Sequence, residues 1–246
     1  MPERHSSPPP LAIARLGGAM YLIIIVLGLF AEIFVRQRLT AGNDVMVVAA
    51  NIREHELLWR LGVAAELVSM ICVTVLMLTW LAVLRPVNRD LTWLAIFFVL
   101  TAHAVGTMAS VQTLGALFPL SADRSLASFS AEQVAALARL AQSQREHTFG
   151  VSLLLSGCFF VIAGPMIYRS GYLPKIVGVL YTVAGVGYVA HTFTLVLVPA
   201  MAHTVFMVAG PLILLGESTL SLYLMIKGVN VDGWNRRQAQ LAMEPS

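Results

Sequence analysis

The sequence predicts an all-α polytopic integral membrane protein: a six-transmembrane-helix bundle with short amphipathic helices on its outer side. Two observations carry that prediction. Of 246 residues, 58% are apolar and only 12% charged, with a mean hydropathy of +0.78, whereas a soluble domain carries about 25% charged residues. The apolar residues also gather into stretches of the length a helix needs to cross a bilayer, about 20 residues. These are Leu16 to Val35, Leu61 to Leu84, Leu91 to Phe118, Phe149 to Tyr168, Ile176 to Val198 and Thr204 to Ile226. They define one domain, 15–229, between a proline-rich N-terminal tail, 1–14, expected to be disordered, and a C-terminal tail, 230–246.

The first span is too long and lacks the small-residue cleavage site of a secretory signal peptide, so it is expected to stay as a signal anchor. Cys72 and Cys158 fall inside predicted spans and outside any C-x-x-C pattern, which predicts two free, buried thiols. A formal charge of +3 without a basic face interleaved with aromatics gives no support for nucleic-acid binding.

Six spans put both termini on one side. That side holds Arg4, Arg15, Arg85, Arg89, Arg169, Lys175, Lys227, Arg236 and Arg237, against Arg36, Arg38, Arg53, Arg60, Arg124, Arg139 and Arg145 on the other. The bias lies in short, acid-poor segments, and it predicts cytoplasmic termini in a bacterial cytoplasmic (inner) membrane.

The two longer connections are patterned and lie on the outer side. In "FSAEQVAALARLAQSQR", Ser130 and Gln133 have the spacing of a capping box, with Phe129 and Val134 placed for a hydrophobic staple. Val134, Leu137, Ala138 and Ala141 then repeat at helical spacing, predicting an amphipathic helix along the membrane or over the bundle. In "NIREHELLWR", Asn51 is placed to cap a helix with Glu54 at its third position, running on into the second span.

Ionisable groups inside a bilayer are costly and point to protein or to a wet cavity. Helical spacing puts Glu32 on a face with Gly18, Tyr21 and Gly28, Glu66 with Gly62, Ala65 and Ser69, and His103 with Gly106, Thr107 and Ser110. His191 shares a face with Ala184, Gly187 and Tyr188, and Glu217 with His203, Gly210 and Ser221. Small residues mark the faces on which membrane helices approach closely. Glycines at seven-residue steps, Gly150, Gly157 and Gly164, then Gly178 and Gly185, mark a packing ridge within each of two helices.

Glu32 and Arg36 have the i, i+4 spacing of an ion pair. Glu66 has no basic residue one turn away, which leaves open a hydrogen-bonded carboxyl facing another helix. Glu217 is the deepest carboxylate and has no local counter-ion. The candidate ligand or proton pocket therefore comprises Glu217 as its floor, with Glu66, His147, Arg60, Glu32, Arg36, His103 and His191 around it. No Glu-x-x-His pair falls in a span and no His-Glu-x-x-His occurs, so no metal site or cofactor is assigned, although a b-type haem between His103 and His191 is allowed. No P-loop, dinucleotide fingerprint or G-x-S-x-G is present.

Several segments together carry a resemblance: "RLGGAMYLIIIVLGLFAEIFVRQRL", "NIREHELLWRLGVAAELV", "VLRPVN", "HTFGVSLLLSGCFFVIAGPMIYRSGYLPKIVGVLYTVAGVGYV" and "LLGESTLSLYLMIKGV". In that order they resemble the bacterial membrane family known as domain of unknown function 4386. The resemblance implies fold and topology but no reaction. It brings Glu32, Arg36, Arg60, Asn88, His147, Gly150, Gly171, Pro174 and Glu217 into the family pattern, while the histidines at 103, 191 and 203 depart from it.

Three functions fit these readings. The first is binding or transport of a small amphiphilic molecule or a proton, with transport requiring a homodimer because a single six-helix unit has no evident inverted repeat. The second is an intramembrane enzyme pairing Glu217 with Glu66 or His147 as acid and base on a lipid-like substrate. The third is a structural or accessory role, every polar group serving helix packing. The bilayer is the one partner all three share.

Overall fold

A computed structural model describes residues 10–42, 44–121 and 128–243. The expected disordered tail falls largely, and Arg4 and Arg124 wholly, outside them. Among the described residues, six helices are long and apolar enough to cross a membrane. Helix α1, Pro10–Leu29, continues as a π-helical segment, Phe30–Gln37. Next come α2, Val45–Glu54; α3, Glu56–Leu84; α4, Arg89–Gly115; and a single turn, α5, Leu117–Leu120. Helices α6, Ala131–Arg169; α7, Lys175–Leu197; α8, Pro199–Ile226; and α9, Val231–Met243 complete the chain.

The spans close into a ring. Helix α1 packs on α3 and α8, α8 on α7, α7 on α6, α6 on α4, and α4 back on α3. Trp80, Phe159, Phe160 and Tyr181 fill the middle of the ring, with Phe160 stacked on Tyr181 at 4.0 Å and Trp80 edge-on to Phe159 at 5.3 Å.

Glycine sets the closest approaches. A Cβ at Gly157 would meet the Gly185 carbonyl oxygen at 2.9 Å, and one at Gly164 the Gly178 carbonyl oxygen at 2.8 Å; the reverse contacts are as close. The two glycine ridges expected within separate helices therefore face one another across α6 and α7. Thr192 extends the same antiparallel register by donating a 2.8 Å hydrogen bond to the Gly150 carbonyl.

At the end carrying the termini, Asn88 caps α4 by accepting from Leu91 N at 2.8 Å. Gly171 adopts φ +77° in the turn before α7, a conformation that glycine takes without steric cost. The Tyr172 hydroxyl in that turn donates to the Val83 carbonyl of α3. Part of the C-terminal tail forms α9, whose Trp234 Nε1 donates to the Ala82 carbonyl at 3.4 Å.

The opposite end corrects three local expectations. Ser130 and Gln133 do form the capping box, but the helix they open runs unbroken through to Arg169 rather than lying apart as a surface helix. Its buried face is Ala135, Ala138, Gln142 and Arg145, while Leu137 is exposed. Small side chains admit α2 and α5 closely, and Leu137 would hold them off. Asn51 does not cap its helix. Asp44 does, accepting from Met46 N at 2.8 Å and Val47 N at 3.4 Å, while Asn51 donates to the Leu39 carbonyl. Nor does that helix run on into the span, because His55 leaves helical dihedrals at φ −114° and ψ 36°. Cys72 is buried as expected and Cys158 only half-buried; both are free.

Candidate functional site

The predicted residues separate into two polar groups and several outliers. The first group gathers at the end of the ring away from the termini. Arg36, on the π-helical extension of α1, donates from Nε and Nη2 to Glu32 Oε2 at 2.9 and 2.5 Å, and from Nη1 to Glu66 Oε1 on α3. The expected i, i+4 pair is thus present, and it is joined by a carboxylate 30 residues along the chain. Glu66 is ion-paired rather than held only by neutral groups. Gly62 lets this happen, since a Cβ there would meet Val35 at 3.0 Å and push α3 away from the arginine.

Arg145 of α6 completes the group. Its Nη2 lies 3.6 Å from both Glu32 Oε2 and Glu66 Oε1, beyond hydrogen-bond reach, and its guanidinium sits 4.7 Å over the Phe149 ring. The side chains of Arg145, Arg36 and Glu66 are 9, 12 and 13% exposed, whereas Glu32, at 37%, reaches the surface. Two arginines and two glutamates make a neutral set, the form in which charges persist in a medium of low dielectric. Pairing is incomplete, however. Arg145 Nε and Nη2, Glu66 Oε2 and Gln142 Nε2 are buried without a hydrogen-bond partner among the described residues.

The second group surrounds Glu217. The carboxyl takes a 2.7 Å hydrogen bond from the Tyr188 hydroxyl of α7, and the Tyr188 ring stands edge-on to Phe160 at 5.4 Å. Tyr21 of α1 and Tyr181 share a hydrogen bond of 3.0 Å nearby in the same aromatic core. Ser221, expected on the face of Glu217, is fully buried and donates to the Gly18 carbonyl, while His203, expected there too, is exposed. Glu217 therefore meets a tyrosine of the neighbouring helix, and Glu66 belongs to the other group.

The remaining candidates lie apart from both groups. Arg60 pairs with Glu56 at 2.7 Å on the surface. His147 is exposed and bonds through Nδ1 to its own helix at the Ser143 carbonyl. His103 is half-buried on α4, and the His191 ring on α7 packs at a tilt against Phe206, with centroids 4.9 Å apart. Helix α6 packs against both α4 and α7, so these two histidines sit on helices that its width separates. A cleft of about 390 Å³ opens between α7 and α8, lined by Val186, Gly187, Val208, Ala209 and Leu212 among others. It is apolar, and none of the eight predicted polar residues lines it.

Sequence reasoning missed Arg145 as a site residue. Its signal was the 3-4-3 spacing of Ala135, Ala138, Gln142 and Arg145, a small-residue face that ends in a cation. Tyr181 was missed as well; its signal was the 3-4-3 spacing of Tyr181, Ala184, Tyr188 and His191, which puts it on the face already read for His191.

A family model matches residues 16–228, which takes in all six spans and both polar groups. The chain belongs to the family described as domain of unknown function (DUF4386). No curated protein and no solved structure matches it. The description of DUF4386 names no reaction, so the chemistry of this member rests on its own side chains. Glu32, Arg36, Glu66, Arg145 and Glu217 all lie within the matched residues.

Proposed function

We propose that this DUF4386 member is a membrane-embedded binding protein that seats the polar end of a small amphiphile among Glu32, Arg36, Glu66 and Arg145. The observation carrying this reading is the Arg145 guanidinium, buried and charged, with Nε and Nη2 unbonded and the nearest carboxylate oxygens at 3.6 Å. A buried donor left unmade costs about 1–3 kcal/mol, more for a charged group, so folding alone does not favour such an arrangement. A binding role accounts for it. The π-helical turn that carries Glu32 and Arg36 supports the same reading, because π-bulges occur frequently at functional sites.

Binding is favoured over intramembrane catalysis by the separation of the two carboxyls. Glu66 is held by Arg36 and Glu217 by Tyr188, so the acid and base expected of an enzyme belong to different hydrogen-bonded sets. We take the membrane to be the bacterial cytoplasmic membrane, with the termini inside and the charged group toward the outer face, on the lysine and arginine bias of the loops.

The test is native mass spectrometry of the protein released from nanodiscs, comparing wild type with Arg145→Ala. Retention of an amphiphile by wild type and its loss in the folded variant is the expected result. Equal retention by both, or none by either, would remove the basis for the reading and return the cluster to a packing role.

A further inference from the structure

The partners that the cluster leaves unmatched specify more than an amphiphile. We infer that the polar end seated there is uncharged and carries both a donor and an acceptor, as a hydroxyl or a primary amide does. This rests on the binding role proposed above and adds the chemical class of the ligand.

Charge balance comes first. Arg36 and Arg145 are offset by Glu32 and Glu66, all four within one connected set of contacts. A carboxylate or phosphate would leave the set net negative, and an ammonium would leave it net positive. Either excess lies beside Arg145, Arg36 and Glu66, all largely withdrawn from solvent. An uncompensated charge inside a membrane costs about 2.5–3.5 kcal/mol even on the gentlest scales.

Hydrogen-bond complementarity comes second. The unmatched donors are Arg145 Nε and Nη2, and the unmatched acceptor beside them is Glu66 Oε2. Glu66 Oε1 is already engaged by Arg36. A carboxylate or phosphate dianion can only accept and would leave Glu66 Oε2 facing like charge; an ammonium can only donate and would face Arg145. A hydroxyl accepts from Arg145 while donating to Glu66, and a primary amide does both at separate atoms. The Phe149 ring under Arg145 supplies apolar surface beside the seat. Glu32, the exposed member, marks the side from which a headgroup arrives.

The experiment uses one chain length and three headgroups: dodecanol, dodecylammonium, and dodecanoate at a pH where the acid is ionised. Binding to the full-length protein in nanodiscs is read by native mass spectrometry and by the shift in thermal midpoint. Wild type is expected to prefer the alcohol by at least about tenfold over each charged probe. Glu66→Gln keeps the side-chain shape and makes the set net positive, so it is expected to move the preference toward dodecanoate. That variant also keeps the inference testable if Arg145→Ala fails to fold. Equal or tighter binding of either charged probe by wild type would overturn the headgroup assignment while leaving the binding role standing. Binding of none of the three would overturn both.

Discussion

Tyr188 on α7 donates a 2.7 Å hydrogen bond to Glu217 Oε1 on α8, 29 residues further along the chain. The carboxyl that interrupts the most apolar part of the last span is thereby tied to a hydroxyl on the adjacent helix. It contributes to the α7–α8 contact instead of facing lipid.

Removing the hydroxyl leaves that carboxyl without its donor, whereas converting the carboxyl to an amide keeps an acceptor for the tyrosine. Tyr188→Phe is therefore expected to cost about 1–3 kcal/mol and Glu217→Gln less than about 1 kcal/mol. The phenyl ring preserves the edge contact with Phe160, so the comparison isolates the hydrogen bond. Thermal unfolding in detergent measures both, and the reverse order would mean that the bond does not support the helix pair.

Arg36 holds two carboxylates. Arg36→Ala is expected to destabilise by up to about 3–5 kcal/mol, because it leaves Glu66 buried with Arg145 alone at 3.6 Å. Adding Glu66→Gln to Arg36→Ala should recover a large part of that loss. Arg60→Ala, which breaks a surface pair with Glu56, should change stability by less than about 1 kcal/mol. If Arg60→Ala proved as costly as Arg36→Ala, burial would not be what distinguishes the two arginines.

The glycine seam between α6 and α7 has no room for a methyl group. A Cβ at Gly178 would meet Tyr168 N and the Gly164 carbonyl oxygen, each at 2.6 Å, and these are backbone atoms that cannot turn aside. Gly178→Ala is expected to cost about 1–3 kcal/mol through forced separation of the helices. Gly28→Ala, where nothing lies within 4 Å, is expected to be neutral or to stabilise by up to about 1 kcal/mol through helix propensity. A chemical-denaturation series on both variants checks the contrast.

Tyr172 lies in the turn between α6 and α7, outside the spans, and burial pushes its phenol above the ordinary value of about 10. The neutral phenol is the form that folding favours. Its contribution is complete below about pH 10, where both folded and unfolded states keep the proton, and it falls as the unfolded phenol ionises above that pH. Tyr172→Phe should lower stability by about 0.5–1.5 kcal/mol at neutral pH, through loss of the bond to the Val83 carbonyl, and should flatten the alkaline decline. Thermal midpoints measured from neutral to strongly alkaline pH decide this, and an unchanged slope would sink it.

What the sequence alone determined is local or periodic. Length and hydropathy define the six spans because a bilayer imposes both on any helix that crosses it. The Ser130 and Gln133 capping box could be read because its hydrogen bonds close within three residues, and the Glu32 and Arg36 pair because one helical turn brings them together. The competing cap shows the limit of such reading. Asn51 and Asp44 both satisfy local chemistry, and the docking of α2, with Asn51 bonded to the Leu39 carbonyl, selected Asp44.

Only the tertiary structure decided which polar groups meet. Glu66 pairs with Arg36 across 30 residues, Arg145 comes within 3.6 Å of Glu32 from a third helix, and Tyr188 of α7 meets Glu217. Helical spacing states which face a residue occupies but not which neighbour that face meets. That depends on the order of helices around the ring and on their vertical register. In this protein the glycines at 157, 164, 178 and 185 set that register for α6 and α7, by allowing their backbones to touch at one alignment.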